Sequence, residues 1–178
     1  MVEQYEPAIS RETLICLDLD FKGYLVQQRP AAMELAIVAT ASLAHHMISR
    51  ERQAVGIATQ ALDGLHGDIQ RIKLTPRDES SHLIAILEVL ARVQGVAGDG
   101  LVQLLHLESL TLAFGATVLV ISGRLDEQIG AALLQLKRSG HAVAFLLVQP
   151  VAEVSNLPRI PGIPIHHMSS VHDLVEVA

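Results

Sequence analysis

Four short runs of mostly apolar residues, at 13–19, 54–59, 116–122 and 142–148, are separated by polar and glycine-containing stretches. In each run Val, Ile, Leu and Ala fill both alternate sets of positions, as in strands buried on both faces of a parallel sheet. A fifth run, 69–74, mixes Ile69, Ile72 and Leu74 with Gln70, Arg71 and Lys73. It predicts an exposed edge strand, forming a hairpin with the strand before it across Asp63-Gly64 and His66-Gly67-Asp68. A last short strand is expected at 163–167. Between these lie four helices. The first, 30–49, starts on Pro30 and is apolar almost all round: Met33, Leu35, Ile37, Val38, Leu43, Met47 and Ile48, with alanines in the gaps. Such a helix packs against a sheet and its neighbours rather than facing water. Helices follow at 82–93, with Ser80 or Ser81 as cap, at 101–114, and at 126–139, where Asp126 and Glu127 suit the first turn and Gly140 the exit.

Residues 1–11 read as an extended lead-in, 150–164 as an irregular loop with four prolines, and 172–177 as a terminal helical turn. Strands alternating with helices predict one α/β, Rossmann-like domain over 1–178. Its sheet is mostly parallel with an antiparallel edge strand, and helices cover both faces.

Composition narrows the functional classes. Half the residues are apolar but only 3% are aromatic, and the net charge is −6. Nucleic acid is therefore an unexpected partner, since it needs a basic face and stacking platforms. A single cysteine excludes an internal disulfide and a cysteine-based zinc cluster; Cys16, inside an apolar run, reads as a small buried hydrophobe. The first seven residues are too polar for a signal peptide. The stretch 31–44 carries Glu34 and falls short of the ~20 apolar residues of a membrane span. A soluble, cytoplasmic protein without a span is the expectation.

Ligands of doubly wound sheets sit beyond the C-terminal ends of the strands. Two loops qualify, 18–23 and 122–126, with Ser80-Ser81 as a third contributor. Asp18 and Asp20, two apart, share a face if the strand persists. Carboxylate and hydroxyl oxygens from three loops suit Mg²⁺. Enzyme motifs are missing: there is no G-x-x-x-x-G-K-[ST] and no G-x-S-x-G. The glycines at 95, 98 and 100 follow no predicted strand and read as a connector. Asp18-Leu19-Asp20 superficially matches a two-aspartate phosphotransferase, but Gly123 and Val148-Gln149 offer no further acids at later strand ends. His45-His46 and His166-His167 diverge on a helix and a strand respectively. Arg71, Lys73 and Arg77 read as a solvated edge that discourages aggregation.

The strand ending in Asp18, the long helix, the edge hairpin, the Ser-capped helix and the strand ending at Ser122-Gly123 together resemble a von Willebrand factor type A domain. Several short motifs in order are similar to a bacterial family, domain-of-unknown-function family fifty-eight, whose C-terminal half is type A-like. They are Val2-Glu3-Gln4-Tyr5-Glu6-Pro7, Ala54-Val55-Gly56-Ile57-Ala58, Leu87-Glu88-Val89-Leu90-Ala91 and Arg138-Ser139-Gly140-His141. Family members are often longer, with preceding membrane helices, and their genes commonly neighbour MoxR-type AAA+ ATPases. The resemblance implies an adaptor or assembly role, with a protein partner such as an AAA+ ATPase.

Type A domains often hold a divalent metal through Asp-x-Ser-x-Ser, a Thr and a further Asp. The resemblance places Asp18 on the first Asp, Asp20 and Lys22 on the two Ser positions, Ser81 on the Thr and Gly123 on the last Asp. Lys22 and Gly123 depart from the pattern, so the metal-ion-dependent adhesion site is expected to be degenerate, with Lys22 pairing Asp18 or Asp20 in place of the ion. The expectation is a non-catalytic interaction domain binding through Asp18, Asp20, Lys22, Ser81, Ser122, Gly123 and Arg124, without a cofactor. The alternatives are a domain binding ligand through Mg²⁺ or Mn²⁺ on Asp18, Asp20 and Ser81, and a phosphoryl-transfer enzyme using Asp18 and Asp20.

Overall fold

The computed structural model describes residues 12–98, 100–150 and 159–173. Within them seven strands form one sheet: β1 (Thr13–Leu17), β2 (Val55–Asp63), β3 (Ile69–Arg77), β4 (Val93–Gln94), β5 (Thr117–Ser122), β6 (Ala142–Val148) and β7 (Ile165–Met168). The main path runs β3-β2-β1-β5-β6-β7, and β4 pairs with β2. Every neighbouring pair along that path is parallel except β2–β3, which is the predicted antiparallel hairpin. Among the described residues four α-helices cover the faces: α1 (Arg29–Ser49), α2 (Ser80–Arg92), α3 (Gly100–Ser109) and α4 (Glu127–Arg138).

Alternation along β1 divides the core in two. Ile15 and Leu17 point with Val55, Ile57 and Ile121 into the layer under α1 and α2. Leu14 and Cys16 point with Ala58, Val118 and Val120 into the layer under α3 and α4. This is period-2 geometry in a strand buried on both faces. By length and composition α1 is apolar enough to cross a membrane. It is a core helix here, burying Ala32, Met33, Leu35, Ala36, Ala39, Ala44 and Ile48.

Several sequence expectations shift. β3 continues through Thr75 and Pro76 to Arg77, opposite Val55; an edge position tolerates the proline. α2 takes Glu79 as its N-cap with no side-chain cap bond, so neither Ser80 nor Ser81 caps it. Asp126 is the cap of α4 rather than a first-turn residue, and accepts from the Ile129 N–H at 2.9 Å. α3 ends at Ser109, five residues short of the expected end at 114. The two-residue β4 was not anticipated. The lead-in at 1–11 and the prolines' loop over 151–158 lie outside the described residues. So does most of the expected terminal turn, of which only the short 3-10 segment Val171–Asp173 is described.

Candidate functional site

β1 and β5 are parallel neighbours in matched register, with Leu17 beside Ile121. The next residues, Asp18 and Ser122, therefore meet at the C-terminal end of the sheet. Ser122 Oγ donates to Asp18 Oδ2 at 2.6 Å, and the Asp20 N–H donates to Asp18 Oδ1 at 3.0 Å. Both oxygens of Asp18 are engaged inside the protein, and the residue is 3% exposed. Burial raises its carboxyl above the usual carboxylate range, against the pull of the Ser122 and Asp20 hydrogen bonds. Tyr24 closes the site from the side, its hydroxyl donating to the Asp18 carbonyl at 2.6 Å; burial pushes that phenol up.

Asp20 is equally buried. Its Oδ1 accepts from the N–H groups of Lys22, at 3.0 Å, and Gly98, at 3.1 Å. It thereby caps the 3-10 turn Phe21–Gly23. Its Oδ2 has no hydrogen-bond partner among the described residues; Arg124 Nη2 stands 3.6 Å away. The cation facing Asp20 is thus Arg124. The exposed Lys22 meets Asp20 through its backbone N–H, and the cation recorded against that carboxylate is Arg124 where Lys22 was expected. Six buried side-chain polar atoms have no hydrogen-bond partner among the described residues. Four of them, Asp20 Oδ2, Gln28 Oε1, Arg29 Nε and Arg124 Nε, follow β1 or β5 at this end of the sheet.

The glycine stretch at 95–98 is more than the connector its sequence implied: on its way from β4 to α3 it also lies against the site. Phe21 N–H donates to Val96 O at 2.7 Å and Val96 N–H to Leu19 O at 3.0 Å, so this stretch lies along the exit of β1. Ser81 is a further correction. His82 Nε2 lies 2.9 Å from Val55 O, and Val55 pairs with Thr13, the first residue of β1. Ser81 therefore sits at the N-terminal end of the sheet, about 15 Å of strand away from Asp18. The hairpin returns the chain to that end before α2 begins, a reversal that placing Ser81 beside Asp18 overlooked. The structure brings together Asp18, Asp20, Lys22, Ser122, Gly123 and Arg124; Ser81 stands apart. Tyr24 and Gln149, whose Nε2 donates to Gly123 O at 3.0 Å, are the partners that sequence reasoning missed. A tyrosine beside Gly23 in a chain with two tyrosines was the available signal.

The sequence matches no family model and no curated protein. Solved structures are similar over most of the chain. The conserved hypothetical protein BatB from Bacteroides thetaiotaomicron aligns with TM-score 0.60 and 15% identity, covering 93% of this chain and 94% of that one. The SpRpn10 VWA domain aligns with TM-score 0.52 and 16% identity, covering 94% of each. The fold is von Willebrand factor type A-like. An aerotolerance-related membrane protein from Bacteroides fragilis, carrying multiple mutations to serines, is also similar, with TM-score 0.54, 16% identity and coverage of 93% and 96%. Likeness at such identities speaks for the fold.

The divalent metal implied by the type A resemblance does not fit these residues. Among the described residues no group of three or more His, Cys, Asp and Glu side chains converges. Asp18 has spent both oxygens, and Ser81 is elsewhere. Where a last Asp would stand, Gly123 leaves no room for a side chain. A Cβ there would lie 2.5 Å from the Gly23 carbonyl oxygen and 2.7 Å from Tyr24 Cε1. Gly95, Val96, Ala97 and Gly98 offer no side-chain oxygen. Among the described residues that leaves one carboxylate oxygen, Asp20 Oδ2, beside a guanidinium, with the neutral Gln60 amide in the same space, whereas a hard cation needs several converging oxygens.

Proposed function

We propose that this type A-like domain is a non-catalytic protein-interaction module, an adaptor or scaffold, whose binding face is the C-terminal end of the sheet and works without a metal. The observation that carries this reading is a pairing on one loop. Both Asp18 oxygens and one Asp20 oxygen are closed into internal hydrogen bonds and the other Asp20 oxygen is buried facing Arg124, while Leu25 and Val26, a few residues on, are 63% and 75% exposed. Consecutive exposed apolar side chains beside a site with no open acid pair favour docking over chemistry. Leu65 and Ile69, 72% and 57% exposed on the β2–β3 hairpin, lie toward the same end. The resemblance of several ordered motifs to family fifty-eight supports a partner of the MoxR-type AAA+ class, and the expected cytoplasmic setting is where such a partner would be met.

Calorimetric titration of Mg²⁺ and Mn²⁺ into wild type and Asp18→Ala tests the metal-free part. No binding in either protein is expected; binding lost in the variant supports the metal-dependent alternative instead. Turnover of a generic phosphate ester, abolished by Asp20→Asn, would establish the phosphoryl-transfer alternative. Co-purification of a neighbouring AAA+ ATPase tests the partner.

A further inference from the structure

We propose that Arg124 is the recognition residue of this face: its guanidinium receives an Asp or Glu side chain of a protein partner, while Leu25 and Val26 supply the apolar contact. The inference rests on reading this end of the sheet as a protein-binding face. A guanidinium carries five N–H donors in a planar fork. Arg124 uses none of them in a hydrogen bond among the described residues. The carboxylate oxygens facing it are Asp20 Oδ2 at 3.6 Å and Asp126 Oδ2 at 3.7 Å, both beyond hydrogen-bonding distance. Its Nε is enclosed and unpartnered. The fork therefore has charge compensation but unmet donor capacity.

Accessibility decides which member of the pair meets a ligand. The Asp20 side chain is 4% exposed and Arg124 is 28% exposed. Asp20 is the buried member of the pair, and the guanidinium is the member a ligand can reach. The acceptor that best matches a guanidinium fork is an anion that presents two oxygens to it bidentately. A carboxylate meets that requirement, and so does phosphate. The exposed Leu25 and Val26 on the adjoining loop favour the carboxylate of a peptide, which can cover apolar surface as a free phosphate cannot. Asp126, 44% exposed, competes for the same fork. Its other oxygen caps α4 through the Ile129 N–H, a role that serine also performs. Asp126→Ser thus removes the competing charge while keeping a cap.

The test is selection from a random peptide library in the presence of EDTA, on wild type, Arg124→Gln, Arg124→Glu and Asp126→Ser, each first checked for cooperative melting. Wild type should enrich peptides with Asp or Glu at one fixed position beside an apolar residue. Changing that acid to its amide should weaken binding about tenfold or more, the scale of a lost charge-assisted hydrogen bond. Arg124→Gln should lose the preference, Arg124→Glu should exchange it for Lys or Arg, and Asp126→Ser should tighten binding several-fold. Enrichment without a fixed acid, no enrichment at all, or an acid preference that survives in Arg124→Gln overturns the assignment. So does inorganic phosphate displacing the peptide as well as free glutamate does. Mg²⁺ calorimetry on the same wild-type sample separates the two readings. Metal binding at Asp18 overturns the metal-free function, whereas acid-independent binding without metal overturns the role of Arg124 alone.

Discussion

Ser122 and Asp18, 104 residues apart in sequence, share a 2.6 Å hydrogen bond at the end of the central strands. The bond is available because β1 and β5 end in register. Burial holds the Asp18 carboxyl above its unfolded value, so the fold favours its protonated form. The stability linked to that proton is fully present below the unfolded pKa and is lost as pH rises through the folded one. Asparagine matches the protonated shape and escapes this loss. Asp18→Asn is therefore expected to melt at or above wild type near pH 7, with the advantage shrinking toward about pH 3. Asp18→Ala leaves the Ser122 hydroxyl and the Asp20 N–H without an acceptor and should cost about 1–3 kcal/mol. Thermal melts across pH check both; an Asn variant that melts well below wild type at neutral pH contradicts the burial argument.

Restoring an acid at position 123 should not restore a metal site. The side chain of Gly123→Asp would enter space held by the Tyr24 ring and the Gly23 carbonyl. The Tyr24 hydroxyl also anchors the Asp18 carbonyl. Overpacking of this kind costs about 1–3 kcal/mol, and displacing Tyr24 adds a lost buried hydrogen bond. The expected result is a lower melting temperature with no rise on adding Mg²⁺. A metal-dependent rise would show that the closure is soft.

Asp63 ties the hairpin tip to the end of α2. Its Oδ1 accepts from the Leu65 N–H at 3.0 Å and Arg92 Nε at 3.1 Å, and its Oδ2 meets His66 Nδ1 and Gln70 Nε2, each at 3.1 Å. The Leu65 N–H leads these contacts in holding the carboxyl below its usual value. A depressed folded pKa contributes stability that is present above the unfolded value and is lost as pH falls through the folded one. Asp63→Asn should therefore be least stable relative to wild type near neutral pH, and the gap should close below about pH 4. Denaturant midpoints measured against pH give the comparison; a gap independent of pH would assign the effect to geometry instead of charge.

The strands were legible because fully apolar runs such as 142–148 have few other uses, and the antiparallel edge because Asp63-Gly64 and Gly67 mark a reversal. Asp18, Asp20, Ser122 and Arg124 were legible because they follow apolar runs directly. Ser81 was misplaced because a spacing along the chain does not say which end of the sheet a hairpin returns to. The glycine stretch near 95–98 was missed because its contacts with Leu19 and Phe21 run through the backbone, which leaves no side-chain signature. Arg71 and Lys73 carried a pattern of solvated edge charges, and their partner is 35 residues or more away on another element.

That partner is Glu108, fully buried near the end of α3. Lys73 Nζ approaches its Oε2 at 2.5 Å and Arg71 Nη2 its Oε1 at 3.5 Å, and Lys73 also donates to Thr111 Oγ1 at 2.8 Å. Residues 71 and 73 share one face of β3 by strand periodicity, so the edge strand reaches over the sheet and neutralises an acid that would otherwise be stranded. Removing one member of a buried pair is far more damaging than replacing both by apolar groups. Lys73→Met should cost about 3–5 kcal/mol, and the double variant Lys73→Met/Glu108→Leu should recover most of that loss. Cys16 supplies a second readout. It is fully buried, and burial, with Glu108 adding to it, raises its thiol well above the usual value. It is also the sole cysteine, so alkylation reports opening of the layer under α3. Labelling should be very slow in wild type, faster in Lys73→Met and slow again in the double variant. If the double variant labels as fast as Lys73→Met, the ion pair is not what holds this layer shut.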